Sequence, residues 1–321
     1  MITLVTRTDL HLSVQPPQSR TDDWAATCLG KLEQVGVIAR EVGAAGVLDN
    51  GDFFHIKTPS QTTHELIQRV SAVHAPYPCG VWANIGNHDC KYGDYKFISE
   101  APLGVLFGTG VFQRCYDEHE AVFERDGLKV RVVGIPYHGK SYDTNRMTTI
   151  VKGDEDYLVV MAHLLASPDG GEMFGSEDIV AYADLANLDP DLWLFGHWHK
   201  NQGVVKIGTK IIINIGSLTR GALSEDEITR VPECSIIRFT KQGIDVERRP
   251  LKVQPAADVF DLVGRTRQLA KVMTVDAFVD SVRNTLQASQ MSSLLDVVRA
   301  LDVPDAVRER LLGYLEAEGA T

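Results

Sequence analysis

The chain has 321 residues, 44% of them hydrophobic and 23% charged, enough to bury one large core with a small second module beside it. Its formal net charge of -11 repels a polyanion at long range and speaks against a protein that grips nucleic acid unaided over a broad surface, so bound cations or a partner would have to supply positive charge. Five cysteines, odd in number and without a Cys-x-x-Cys pair, argue against a disulfide framework or a zinc knuckle and fit a reducing cytoplasm, while the lack of a basic-then-apolar leader or a membrane-length apolar run argues against secretion and membrane insertion.

Taken in chain order, the first two-thirds alternate short apolar runs with amphipathic stretches, the pattern of an α/β sandwich. Thr3–Thr6 predicts the first strand, and a helix is expected from about Thr21, with Asp22 and Asp23 in its first turn where carboxylates complement the helix dipole. Gly46–Asp49 predicts a second strand, and a helix after Pro59 and Ser60 would bury Leu66, Ile67 and Val70. Val81–Ile85 is the third strand. The Asp126-Gly127 pair between Ala121–Glu124 and Leu128–Ile135 signals a hairpin. Further strands are expected over Tyr157–Ala162, Leu192–Phe195 and Lys210–Ile215, and a second hairpin over Cys234–Phe239 and Ile244–Arg248, split by Gly243. After Pro250 and Pro255 the apolar spacing turns helical through Val275, Phe278, Val282 and Leu286, then Leu294, Leu295, Val298 and Leu301, and last a helix opening at Pro304 with Val307, Leu311 and Leu315. Residues 1–255 thus read as the main domain and 256–321 as a small helical module that caps it or docks a partner.

The informative polar residues fall at predicted strand ends, where the loops of an α/β sheet build sites. The first strand leads into Asp9-Leu10-His11, two groups that project to one side if the extended conformation persists. The second ends in Gly51-Asp52-Phe53-Phe54-His55, where Gly51 permits a tight turn and Asp52 can offer its two oxygens to two cations. The third ends in Gly86-Asn87-His88-Asp89: the Asn87 amide oxygen can ligate a cation, and His88, backed by Asp89, is placed to donate a proton. Later strands end in His163 and in Gly196-His197-Trp198-His199. Any one of these segments has an ordinary explanation, since Asp-x-His carries almost no information alone and Gly-Asn-His-Asp is often only a turn. Their joint occurrence at successive strand ends, holding six of the ten histidines, is what selects a mixed oxygen and nitrogen site for Mn, Fe or Zn, with too few carboxylates for calcium.

Together these segments resemble the five signature motifs of the calcineurin-like metallophosphoesterase superfamily over roughly residues 1–220. Gly51-Asp52-Phe53-Phe54-His55 and Ile215-Gly216-Ser217-Leu218 are similar to segments of the SbcD-type DNA double-strand-break repair nucleases within it. The resemblance implies a two-sheet sandwich flanked by helices, with Asp9, His11 and His199 on one metal, Asn87, His163 and His197 on the other, and Asp52 bridging. It also implies that His88 serves the departing oxygen and His55 the phosphate. Two departures stand out: Arg7-Thr8 replaces the small residues usual before the first motif, and Gly216 lacks a preceding proline.

On this reading the chain is a manganese-dependent DNA exonuclease or endonuclease, with Fe, Zn or Mg as other metals, working beside an ATPase partner of the SbcC type. A homodimer through the helices after Pro59 and near Glu100 is implied by the resemblance alone. Two other readings stay open: a phosphodiesterase or phosphatase for small or cyclic nucleotides, in keeping with the acidic charge, and a non-catalytic scaffold of the same fold.

Overall fold

The computed structural model describes residues 1–17, 19–55, 62–173, 177–222 and 224–262, with positions 298, 308, 309 and 312. The chain divides into two compact units, Met1–Phe260 and Asp261–Thr321. The helical readings between Val275 and Leu315 lie outside the described residues except at 298, 308, 309 and 312, each of which is helical.

Alternating side chains that are buried on both faces decide the architecture of the first unit. In β1 (Ile2–Arg7), Ile2 and Leu4 face one way and Val5 the other, and all three are buried. A strand with two apolar faces must lie between two layers. β1 pairs in parallel with β2 (Gly46–Asp49), which continues to β3 (Val81–Ala83) and β4 (Gln113–Arg114). A second mixed sheet runs from β5 (Ala121–Arg125) through β6 (Leu128–Ile135), β7 (Tyr157–Ala162) and β11 (Leu192–Phe195) to β13 (Lys210–Asn214) and β12 (Gly203–Ile207). Between β7 and β11 lies a small sheet of β8 (Ala166–Ser167), β9 (Gly171–Met173) and β10 (Glu177–Ala181). The hairpin β14 (Glu233–Thr240) and β15 (Gly243–Pro250) returns to complete the first sheet against β1.

Ile2, Leu4 and Leu48 of the first sheet meet Val159, Met161, Leu192 and Leu194 of the second in the central core. The opposite face of the first sheet, with Val5 and Val47, packs on α1 (Trp24–Glu41), α2 (His64–His74) and α3 (Pro102–Gly108). The outer face of the second, with Val160, Trp193 and Phe195, is covered by Leu164, Tyr182 and Leu185.

Helix α1 starts later than the sequence predicts. Asp23 is its N-cap, accepting from the Ala26 amide at 2.9 Å, and Asp22 stays outside the helix, paired with Arg20 at 2.6 Å. Thr63 caps α2, which buries Leu66 and Val70 while Ile67 is only partly buried. Strand β3 stops at Ala83, short of Ile85, and β13 stops at Asn214, where Asn214 Oδ1 accepts from the Gly216 amide and Gly216 turns at φ +68°. In the last hairpin the turn is 241–242, and Gly243 already pairs with Thr240 as the first residue of β15.

Two buried asparagines join the sheets beneath the loops. Asn50 Nδ2 donates to the carbonyls of Ala162 and Leu194, both at 3.0 Å. Asn84 Nδ2 lies 2.9 Å from the Ile135 carbonyl, 3.1 Å from that of Met161 and 2.9 Å from Asn50 Oδ1. The C-terminal ends of β1, β2, β3, β7 and β11 are thereby held at one edge of the sandwich.

Candidate metal centre

The loops after β1 and β2 run as a ladder, the amides of Asp9 and His11 donating to the carbonyls of Gly51 and Asp52 at 3.0 Å each. The expected extended backbone does not persist here. Asp9, His11 and Asp52 all take φ near +50°, and His197 takes +79°, so four of the six non-glycine residues with positive φ among the described residues fall in this site. Each such residue costs about 1–3 kcal/mol and persists only where surrounding structure fixes it, a signature of functional loops. Asp9 and His11 still reach the same place, because two left-handed turns flank the buried Leu10. Close approach also demands glycine: a Cβ on Gly86 would stand 2.1 Å from Asp52 Oδ1.

Among the described residues the donor atoms fall into three sets: one joins His11 to His55 and His88, and the other two share one residue. Of these two, Asp9, His11, Asp52 and His199 form one, Asp52, His163 and His197 the other, with ligand atoms within 4.8 Å of one another in each. Asp52 Oδ2 lies 3.6 Å from His11 Nε2 and 3.4 Å from His163 Nε2, between the two sets. Asp9 Oδ1 is 3.7 Å from His199 Nε2 and 4.0 Å from His163 Nε2. The His163 ring donates from Nδ1 to the Asn50 carbonyl at 2.7 Å, which fixes the ring's orientation and points Nε2 at the Asp52 and Asp9 carboxylates.

These residues fit a pair of divalent cations. His163 Nε2 and Asn87 Oδ1 are buried without a hydrogen-bond partner, and His11 Nε2 faces His199 Nε2 at 2.8 Å. Buried polar atoms left in this way call for a ligand. The electrostatics agree. Burial disfavours a charged His163, yet the Asp52 carboxylate, and Asp9 behind it, raise its pKa to about 10. Burial also opposes ionisation of Asp52, but His163 and His11 outweigh it and hold that carboxyl well below the usual range. The carboxylates therefore require positive charge at this point. His11, buried and facing His199, is pushed well below the ordinary imidazole value and offers a neutral nitrogen.

Above the two sets sits a histidine rim. His88 donates its main-chain N–H to Asp52 Oδ1 at 2.8 Å, and its ring Nδ1 lies 2.9 Å from the His55 carbonyl, so Nε2 is the free nitrogen. The His55 ring stacks on it with centroids 5.0 Å apart, and burial and His88 lower the His55 pKa. The expected support of His88 by Asp89 is not what the fold provides. Asp89 is wholly buried and accepts from the amides of Gly86 (2.9 Å) and Phe54 (3.1 Å), so it braces the loop, while the His55 carbonyl orients His88. Burial, then Asp52, raises the Asp89 pKa to about 8.

The sequence reading missed Glu177. Its Oε1 lies 3.0 Å from His197 Nε2 and accepts from the Tyr142 hydroxyl at 2.8 Å, so a buried carboxylate from the small sheet orients a ligand histidine. No local signal marks it. Arg7, the departure noted before the first motif, turns away from the site: it pairs with Asp49 at 2.6 Å and lies over the rings of Phe53, Tyr77 and Phe112.

A buried carboxylate shared by two donor sets, at the joined edge of two mixed six-stranded sheets, defines a metallophosphoesterase-type sandwich. The family model for the calcineurin-like phosphoesterases matches residues 7–201, more than half of the chain, and the protein belongs to that family. It is also similar to the DNA double-strand break repair protein Mre11 of Haloferax volcanii, 25% identical over 320 residues, which cover 98% of this chain. The chain spans 61% of the length of that relative. Among solved structures, a dimetal phosphatase from Danio rerio matches with a TM-score of 0.51 at 10% identity, over 78% of this chain and 96% of its own. A Staphylococcus aureus protein provisionally called a 5'-nucleotidase matches with a TM-score of 0.51 at 16% identity, over 78% of this chain and 54% of its own. Both likenesses concern the fold. Among the described residues no helix is long and apolar enough to cross a membrane.

Proposed function

We propose that the protein is a two-metal phosphodiesterase, most specifically a manganese-dependent DNA nuclease of the SbcD type acting beside an ATPase partner. The observation that carries this reading is Asp52, common to two donor sets and hydrogen-bonded to the backbone of His88. Asp9, His11 and His199 would hold one cation and Asn87, His163 and His197 the other, with Asp52 on both. When bound, two such ions supply the charge that activates a water and shields the phosphate oxygens. The chain's own residues do the rest. His88, held through Nδ1 by the His55 carbonyl, delivers a proton from Nε2 to the departing oxygen, and burial beside His88 lowers the His55 pKa. His55, at the exposed rim, then contacts the phosphate.

The similarity to Mre11 supports DNA as substrate. A homodimer through α2 and the helices near Glu100 is in keeping with the exposure of Phe97 (37%) and Val105 (44%) on that side. The segment after residue 255 would be the capping or partner-docking module.

A second reading, hydrolysis of small nucleotides, is favoured by the net charge of -11 and by a cleft of about 620 Å3 beside Asn87, lined by Tyr95, Lys96, Tyr137, His138 and Lys140. One experiment separates the two: hydrolysis of labelled duplex DNA, a cyclic nucleotide and bis(4-nitrophenyl) phosphate is compared with Mn present, alongside metal analysis. DNA cleavage well above the others is expected. Turnover of the small diesters alone sinks the nuclease reading, and no turnover of any sinks the enzyme.

A further inference from the structure

A cavity of about 350 Å3 lies between α1 and the segments around residues 220, 232 and 252–259, and no metal-ligand candidate lines it. Its lining includes Arg20, Lys31, Arg220 and Lys252 and, among the described residues, contains no acidic one, in a chain whose net charge is -11. Two of these cations are buried with no carboxylate in hydrogen-bonding contact among the described residues. Lys31, 5% exposed, donates only to the Lys252 carbonyl among the described residues. Arg220, 6% exposed, donates to the carbonyls of Ile228 (3.1 Å) and Gln254 (2.6 Å) and meets no carboxylate among the described residues. Asp22 lies nearby but is committed, receiving two donors of Arg20 (2.7 and 2.6 Å) and the Thr27 hydroxyl (2.6 Å). Glu227 is likewise bound to Arg230 at 2.7 Å. Carbonyl dipoles offset only part of the cost of burying a charge. Burial, with Arg220, Arg20 and Arg230 close by, lowers the Lys31 pKa to about 8, as expected where positive charge is in excess.

We propose that this cavity is an oxyanion site, taking a phosphate group on Lys31, Arg220 and Lys252, independently of the metal centre. An ammonium has three donors and a guanidinium five, so Lys31 and Arg220 each keep N–H groups beyond those given to carbonyls. Charge-assisted contacts of this kind suit a phosphate better than a neutral ligand. The phosphate can arrive as the free ion or as the end of a mononucleotide, which the same site would hold by the same atoms.

The test is calorimetric titration of the full-length chain with inorganic phosphate and, separately, with AMP, both in EDTA so that the cation centre does not contribute. One equivalent is expected to bind, about tenfold or more weaker in Lys31→Met and Arg220→Gln, and unchanged in Asp52→Ala. Lys252 is exposed, so Lys252→Ala serves if the buried variants fail to fold, and a loss of several-fold is expected there. Tighter binding of AMP assigns the site to a nucleotide, and equal or weaker binding assigns it to free phosphate. Absence of binding by both probes, affinities unmoved in all three cavity variants, or loss in Asp52→Ala overturns the proposal. None of these outcomes bears on whether the metal-loaded protein cleaves a diester.

Discussion

The floor and the rim of the metal centre are built from the same residue types and behave oppositely. On the floor, Asp9, Asp52 and His163 are at most 1% exposed, and main-chain or side-chain hydrogen bonds fix each of them. On the rim, His55 and His199 are exposed and His88 is half-buried, with few contacts beyond one another. On the proposed reading burial divides the labour: the floor, joined by His199 from the rim, would hold cations, and His88 and His55, reachable by solvent and substrate, would handle protons and phosphate.

The sharpest way to break this division is Asp52→Ala, which removes the residue common to both donor sets. Turnover should fall about a thousandfold or more and bound Mn should drop towards zero, measured by a diesterase assay with metal analysis. Retention of two ions per chain would show that Asp52 bridges nothing. On the rim, His88→Asn should cut turnover by about two to four orders of magnitude while Mn stoichiometry is unchanged. Unaltered turnover would take His88 out of the chemistry.

Glu177→Gln probes the floor from outside, since it weakens the partner of His197 without touching a ligand. Mn affinity for one ion of the pair should fall about 10–100-fold, read by electron paramagnetic resonance titration, with the other ion unaffected. An equal loss for both ions would mean that Glu177 acts through general stability.

The smallest effect concerns a buried histidine that is no ligand. His74 donates from Nδ1 to the Val70 carbonyl (2.7 Å) and accepts at Nε2 from Arg7 (3.0 Å). Burial and the Arg7 charge lower its pKa to about 3, so it stays neutral in the folded chain while the unfolded chain takes up a proton below about pH 6.5. Its contribution is complete above that pH and is lost as pH falls from about 6.5 towards 3, by up to about 1.4 kcal/mol per pH unit. His74→Gln keeps a donor and an acceptor and should flatten urea-derived stability over pH 4–6. An unchanged slope would show that His74 is already charged when folded. His163, equally buried, goes the other way because carboxylates surround it.

Much of the scaffold was legible because strands apolar on both faces leave unbroken runs: Gly46–Asp49, Leu128–Ile135, Tyr157–Ala162 and Leu192–Phe195 appear with the boundaries expected. The small sheet was not, since Glu177–Ala181 is only partly buried and carries no period. The candidate ligands were legible as polar residues at strand ends, and the structure brings the carboxylate and histidine candidates together. Glu177 was hidden because its partner is twenty residues away, in the loop after a strand of a different sheet, and Asn50 and Asn84 because their partners are main-chain carbonyls, which carry no sequence signature. The left-handed turns at Asp9 and His11 could not be read from residue types that also accept extended backbone.

Asp9, His11, Asp52 and Asn87 hang from one sheet and His163, His197 and His199 from the other, so each of the two donor sets that share Asp52 draws on both sheets and its geometry depends on the gap between them. The Asn50 and Asn84 amides span that gap with four short contacts, to Ala162, Leu194, Ile135 and Met161. They work as a gauge block. A sheet cannot slide without first breaking them, so the geometry of the donor sets should hold steady on warming until the whole sandwich gives way at once.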